Sequence, residues 1–146
     1  MNNVNYKGQS KNQPVQLNNL SVDVSSGNVN LDWITAKSGL FDISSGNVNL
    51  KHYKGQLEAD VSSGNINIQL DQLTDSVKVD VSSGHVQLDL PDNADFTLDG
   101  KVSSGSISSN FVLKNKEENK QVMKGVHGTG EHQLDLSVSS GKVEVN

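Results

Sequence analysis

The amino-acid sequence predicts an all-β fold, a single-domain β-solenoid of about seven coils, each 18–21 residues long and turning at a Ser-Ser-Gly corner. Three observations lead to this prediction. The tripeptide recurs along the chain, its flanks alternate between polar and apolar residues, and an odd number of residues separates the apolar positions on its two sides. A repeat this short cannot form a βαβ unit, which needs roughly 30 residues. The coils should therefore stack as parallel strands.

Each predicted corner is a glycine that follows two serines. The intervals between these glycines are 19, 18, 20, 21 and 36 residues, and we interpret the last as two coils, one of them degenerate. Glycine adopts backbone angles that other residues avoid, and serine hydroxyls can satisfy backbone groups that a bend exposes. The six structural corners are Gly27, Gly46, Gly64, Gly84, Gly105 and Gly141.

Both flanks of each corner alternate with the period of two that is typical of strands with one buried face. In the first repeat, Val22 and Val24 precede the corner, and Val29 and Leu31 follow it. Val24 and Val29 are five residues apart, and in one continuous strand this odd spacing would put them on opposite faces. The chain must turn between them for both to enter one core. The same parity predicts that Trp33, the sixth residue after the glycine, points inward.

The irregular segments should cap the exposed sheet edges of a solenoid. Residues 1–19 are predicted to form an N-terminal cap or first coil, and residues 20–113 carry the regular repeats. Residues 114–131, which include a run of charged residues, should form an irregular loop or degenerate coil, and residues 132–146 the last coil. We expect successive coils to stack in sequence order at about 4.8 Å, with a right-handed winding from the general crossover preference.

Composition disfavours several classes of partner and site. The chain has no cysteine, which excludes disulfides and thiolate metal sites, and its 12 basic residues are all lysine. A net charge of −5 opposes binding to a phosphate backbone, so nucleic acid is not an expected partner. The sequence has no recognisable signal peptide or transmembrane segment, so membrane attachment would require an anchor outside this chain.

The repeated wording resembles a known family. Residues 22–31 read Val-Asp-Val-Ser-Ser-Gly-Asn-Val-Asn-Leu, and residues 128–145 end the chain in a similar pattern. Over about residues 20–146 the chain is similar to the bacterial adhesin-like β-strand-repeat family of unknown function, which includes the LiaG-like and YvlB-like proteins of Gram-positive envelope-stress operons. The resemblance implies an extracellular or cell-surface protein and supplies no catalytic residues.

Two sets of outward residues beside the corners form the candidate binding surface. Carboxylates precede the corners, where they could form a ladder for divalent cations or a solvated face that discourages aggregation. Amides follow the corners, where they could present a grid to a glycan or peptide or hydrogen-bond one another. Trp33 or Tyr53 could stack against a sugar on such a grid. The ten residues are Asp23, Asp42, Asp60, Asp80, Asn28, Asn30, Asn47, Asn49, Asn65 and Asn67.

The sequence shows no recognisable catalytic, cofactor-binding or metal-binding constellation. Ser139 and Lys142 match the Ser-x-x-Lys spacing of penicillin-binding enzymes, but this tetrapeptide is the sixth copy of the corner. The four histidines lack zinc spacing. We therefore expect no enzyme and no cofactor, but a structural or interaction module at the bacterial cell envelope.

Its expected ligand is a cell-surface protein, a cationic peptide or a glycan. One alternative is a carbohydrate-active β-helix enzyme, for which Asp42 and Asp60 are the least implausible pair of carboxylates. The other is a rigid spacer or an oligomerisation element that pairs through an open end of the solenoid.

Overall fold

The computed structural model describes the backbone of residues 2–7, 15–73 and 75–146, and the side chains from residue 18 onward within these ranges. The described residues form thirteen β-strands of one hydrogen-bonded sheet. None of their segments is a helix long and apolar enough to cross a membrane. The strands are β1 (Asn2–Lys7), β2 (Val15–Val24), β3 (Gly27–Ile43), β4 (Asn47–Val61), β5 (Asn65–Leu70), β6 (Val77–Val81), β7 (His85–Asp89), β8 (Phe96–Val102), β9 (Ser106–Ser109), β10 (Lys114–Glu118), β11 (Val122–His127), β12 (His132–Val138) and β13 (Lys142–Val145).

The sheet is wound into a solenoid with a row of parallel strands on each side of the corners. The pre-corner row contains the segments that end at a corner, in the order β2, β3, β4, β6, β12, β8. The post-corner row contains the segments that follow a corner, in the order β1, β3, β4, β5, β7, β13, β9. β3 and β4 belong to both rows, because each runs from one corner to the next. The predicted all-β solenoid is confirmed.

The corners turn the chain so that both flanks enter one thin core. Val24 and Val29 are each 4% exposed, as the parity argument predicts. The hydrogen-bonded ladder continues through the turn, since Ser45 donates both its backbone N–H (3.1 Å) and its hydroxyl (2.9 Å) to the carbonyl oxygen of Ser25. The largest fully buried side chains include Tyr53 and Phe41. The two hydrogen bonds from Ser45 satisfy a backbone carbonyl group of the neighbouring coil.

Glycine is required at the corners for two different reasons. Gly27 and Gly46 have φ angles of 113° and 114°, which side-chain-bearing residues rarely adopt. At Gly64 and Gly84 the requirement is close stacking, because a Cβ there would overlap the carbonyl oxygen of the corner glycine one coil before. The predicted need for an unusual backbone angle therefore applies to the first two corners.

The last coil lies inside the stack and not at its end. β12 pairs with β6 on one side and β8 on the other, and β13 likewise lies between β7 and β9. The prediction that coils stack in sequence order is therefore wrong for Gly141, whose corner stands between those of Gly84 and Gly105. Burial supplies the reason. β13 places two fully buried valines in the core, whereas β9 has Ile107 at the first of these positions and a serine at the second, so β9 has less apolar surface to cover at the outer position.

Residues 114–131, predicted as an irregular loop or degenerate coil, contain an antiparallel hairpin instead. β10 pairs with β11, and β11 pairs antiparallel with the outer edge of β8. Met123 of β11 faces the core, so the hairpin caps this end of the pre-corner row. The described residues thus contain six corner coils, preceded by β1 in the register of a further post-corner strand. The predicted cap over residues 1–19 includes residues 1 and 8–14, which lie outside the described residues.

Candidate functional site

The predicted amides form two columns on the outer surface of the post-corner row. Apolar residues at alternate positions of each strand enter the core, so the intervening amides point outward. In-register pairing then places equivalent amides of successive coils side by side. The first column is Asn28, Asn47, Asn65 and His85, and the second is Asn30, Asn49, Asn67 and Gln87.

The asparagines of each column form a hydrogen-bonded ladder. Asn47 Nδ2 donates to Asn28 Oδ1 (3.0 Å), and Asn65 Nδ2 donates to Asn47 Oδ1 (3.1 Å). In the second column both equivalent distances are 2.9 Å. An amide has two N–H donors and an oxygen with two lone pairs, and the ladder uses one of each at Asn47. The ladder therefore fixes the amides in place while the exposed Asn47 keeps capacity for a ligand.

These columns line one open depression of ≈ 580 Å³. Its lining consists of the six asparagines that the sequence singles out, together with His85 and Gln87. The volume falls within the range of about 300–1,000 Å³ that is usual for ligand sites, although such sites are mostly more apolar than this one. The depression is suited to hydroxyl or amide groups of a polar ligand.

A charged pair from the last coil borders this depression. Lys142 Nζ lies 2.7 Å from Glu144 Oε1, and Gln87 Nε2 donates to Glu144 Oε2 (3.2 Å). These hydrogen bonds, from Lys142 first, lower the pKa of Glu144 from 4.5 to about 2. His85 Nε2 is 3.6 Å from the same carboxylate. Nothing in the repeat pattern predicts these contacts, because they depend on the insertion of the last coil beside β7.

The predicted aspartates form a separate surface on the other side of the corners. They occupy equivalent outward positions of the pre-corner row, and the column continues with Ser137 and Lys101. Three of them are exposed and Asp80 is partly buried. In the part of the chain that the structure describes, no group of three or more His, Cys, Asp or Glu side chains is placed to hold a metal ion. The aspartate column consists of Asp23, Asp42, Asp60 and Asp80.

An aromatic cluster lies further along the post-corner strands, at positions that sequence reasoning assigned differently. The rings of Trp33 and His52 stack with centroids 3.8 Å apart and an interplanar angle of 2°. His52 Nδ1 lies 2.9 Å from Asp71 Oδ1. The prediction that Trp33 points into the core is wrong, because its side chain is partly exposed. Tyr53, considered as a sugar platform, is instead fully buried.

A β-bulge explains this exchange of positions. Two residues of β4, the second of them His52, lie opposite a single residue of β5. Trp33 and His52 have φ angles of 57° and 54°, which bulky residues rarely adopt. The extra residue shifts the alternation by one, so that Ile34 and Tyr53 point inward. The sequence signal is the adjacent apolar pair Trp33-Ile34, which breaks the strict alternation.

The lysine of the Ser-x-x-Lys match and one of the four histidines make contacts within the fold. Lys142 of the Ser-x-x-Lys match is paired with Glu144. The His127 ring packs against Phe96 and Phe111, with centroid distances of 5.4 and 4.7 Å. Lys142 therefore takes part in an ion pair within β13, and His127 in an aromatic contact with Phe96 and Phe111.

Comparison with known proteins agrees with the repeat pattern. Searches of curated proteins and of solved structures found no match to the chain. A family model described as Toastrack, DUF4097, a domain of unknown function, matches residues 1–146. This agrees with the β-strand-repeat family of unknown function that the sequence resembles. The chain belongs to the Toastrack family.

Proposed function

We propose that this chain is a non-catalytic interaction module of the bacterial cell envelope, and that its amide columns bind an extended polar polymer, a neutral wall glycan. The observation that carries the proposal is the depression lined by two hydrogen-bonded columns of asparagine. The likeness of the repeats to adhesin-like envelope proteins supports the extracytoplasmic location.

The direction of the columns favours a polymer over a compact ligand. The columns run along the stack, so equivalent donors and acceptors recur about every 4.8 Å. A polymer with regularly spaced hydroxyl or amide groups can meet several rungs of this array at once. Because the ladders already hold the amides in place, less side-chain freedom is lost on binding.

Charge favours a neutral glycan over an anionic wall polymer. The chain carries a net charge of −5, which repels polyanions at a distance. Near the depression, Lys142 and Glu144 form a pair and so present no excess of either sign. Hydrogen bonds from amides, rather than ion pairs, would therefore supply the specificity.

The test measures binding of soluble β-1,4-linked N-acetylglucosamine oligomers, a neutral glycan, with teichoic acid as the anionic competitor, by isothermal titration calorimetry. The double variant Asn47→Ala, Asn65→Ala should bind the glycan at least about tenfold more weakly, because it interrupts one column. The matched control Asp42→Ala, Asp60→Ala changes two outward residues of the aspartate column and should bind like the parent. Thermal unfolding of both variants checks that they remain folded.

Equal binding by the two double variants would contradict the proposed site, and absence of glycan binding by the parent would contradict the proposed ligand. Protease treatment of intact cells tests the location separately. We expect the domain to be cleaved from outside, and a protected, cytosolic domain would refute the envelope assignment.

A further inference from the structure

The post-corner row ends in a strand with an open edge. In the described part of the chain, β9 (Ser106–Ser109) pairs with β13 alone. Alternate residues of a parallel strand bond to alternate sides. Ser106 and Asn110 donate their backbone N–H groups toward β13, at 3.0 and 2.9 Å. The backbone N–H and C=O groups of Ile107 and Ser109 therefore point away from β13, toward the open edge.

The neighbouring end of the pre-corner row is closed and protected. β11 covers the edge of β8, and Val102 N donates to Gln121 O (2.8 Å). β10 then forms the outermost strand, Lys-Asn-Lys-Glu-Glu, and all five of its side chains are exposed. Charged side chains on an outer strand discourage pairing with another chain. The Ser-Ile-Ser-Ser sequence of β9 carries no such charges.

The two rows end at different heights, which leaves a notch beside β9. The pre-corner row extends two strands beyond β8 of the outermost coil, or roughly 9–10 Å at the usual strand spacing. The notch has a volume of ≈ 440 Å³ and is lined by residues 102–107 and 118–120, with Val122 and Met123. It therefore combines free main-chain groups with a partly apolar wall.

We infer that β9 accepts an extended peptide segment of a partner protein, which adds to the sheet as a parallel strand. The main-chain groups of Ile107 and Ser109 supply the hydrogen bonds, as in other cases of strand addition. The sheet also selects the side chains, because the position of Ile107 holds Val or Ile in every strand of the post-corner row. The partner segment should place Val or Ile opposite Ile107, between small polar residues.

A free strand fits this notch better than the end of a second copy of the chain. At the N-terminal end, β1 of the post-corner row lies one level beyond β2 of the pre-corner row. If β1 of a second copy stacked on β9, its β2 would meet the level already occupied by β10. The hairpin thus opposes rigid end-to-end stacking while it leaves space for a separate strand.

The experiment uses the whole chain and a synthetic peptide of residues 46–51, Gly-Asn-Val-Asn-Leu-Lys, which has the selected pattern. Amide hydrogen exchange is followed by NMR with and without peptide. We expect exchange at Ile107 and Ser109 to slow at least about tenfold at saturation, because these amides become bonded. Ser106 and Ser108, whose amides already bond to β13, should not change. A peptide with proline in place of its valine is the control.

Two variants test the same edge. Ser109→Pro removes the outward N–H and should abolish peptide binding, whereas Ser109→Ala should keep it. Both lose the hydroxyl that accepts a bond from Phe111 N (3.2 Å), so they are matched for that contact. The amide-column variant described above should bind the peptide normally, which separates this site from the proposed glycan site.

Three results would each overturn the inference. The first is that Ile107 and Ser109 gain no protection from amide exchange at millimolar peptide, and the second is that Ser106 and Ser108 are protected as strongly as Ile107 and Ser109 are. The third is that Ser109→Pro folds and binds the peptide as well as the parent. Sedimentation velocity without peptide decides the occupant. If the protein is a monomer at all concentrations, the occupant of the notch is a separate peptide strand. If its mass rises with concentration and Ser109→Pro abolishes the rise, the occupant is instead a second copy of the chain.

Discussion

At the residue scale, the burial of Tyr53 shows how an outward bulge changes the core. Its hydroxyl donates to the carbonyl oxygen of Gln56 (2.7 Å). Space for that hydroxyl depends on Gly39, where a Cβ would overlap it. Burial raises the pKa of Tyr53 from 10.0 to about 12. The folded protein therefore keeps this phenol neutral at a pH where the unfolded chain ionises it.

This raised pKa predicts a loss of stability in alkali. Below pH 10 the phenol is neutral in both states and has no effect. Between about pH 10 and 12 only the unfolded state releases the proton, so the free energy of unfolding should decrease as the pH rises. Tyr53→Phe should lack this component. Urea unfolding of both proteins from pH 9 to 12 measures the difference, and parallel profiles would contradict the burial argument.

Single positions also show where sequence reasoning succeeds. The period of two predicted that Asn47 and Asp42 point outward and that Val24 and Val29 share one core, because alternation depends only on local strand geometry. It failed at Trp33, since a positive φ at a bulky residue is stabilised by its neighbours in other coils. The adjacent apolar pair Trp33-Ile34 interrupts the alternation, but it does not reveal the left-handed conformation.

At the scale of elements, the left-handed residues of β3 and β4 stack on each other in successive coils. The left-handed conformation recurs at Trp33 and His52, and their rings stack above it. In an isolated strand, a single bulged residue would lose its hydrogen bonds to the neighbouring strand without any compensating contact. Here the stacked rings and the contact between His52 and Asp71 offset the backbone strain.

Substitutions of His52 should show how much the left-handed backbone conformation at this position costs in stability. His52→Asn and His52→Val both remove the stacked ring, but asparagine tolerates the left-handed region whereas a β-branched residue does not. We expect the valine variant to be less stable than the asparagine variant by about 1–2 kcal/mol. Denaturant unfolding measures this difference. Equal stability would mean that the backbone at this position does not depend on the residue type.

At the scale of the whole molecule, sequence order and stacking order diverge. The Gly105 coil is fifth along the chain yet outermost, and the Gly141 coil is last yet internal. Sequence reasoning could not find this order, because all six corners share nearly the same wording and any two coils could pair. The amide and aspartate columns were predictable within the first four coils. Glu144 was not, because it lies beside the amide columns only as a result of the insertion of the Gly141 coil.

The insertion predicts that Leu134, although close to the C-terminus, behaves as a central core residue. Leu57 and Leu134 both pair in register with Val77, from opposite sides, and both are fully buried. Leu134→Ala and Leu57→Ala should therefore each cost about 2–5 kcal/mol of unfolding free energy. A cost below about 1 kcal/mol for Leu134→Ala alone would indicate a frayed end and refute the inserted position.

The inserted coil also sets the order in which the molecule can be completed during synthesis. When the ribosome has made β6 to β11, the places of β12 and β13 between the coils of Gly84 and Gly105 are still vacant. The growing chain then presents two facing, unpaired edges around an uncovered apolar core. Residues 132–146 fill this gap, so a nascent chain that has not yet reached them should expose apolar surface and aggregate more readily.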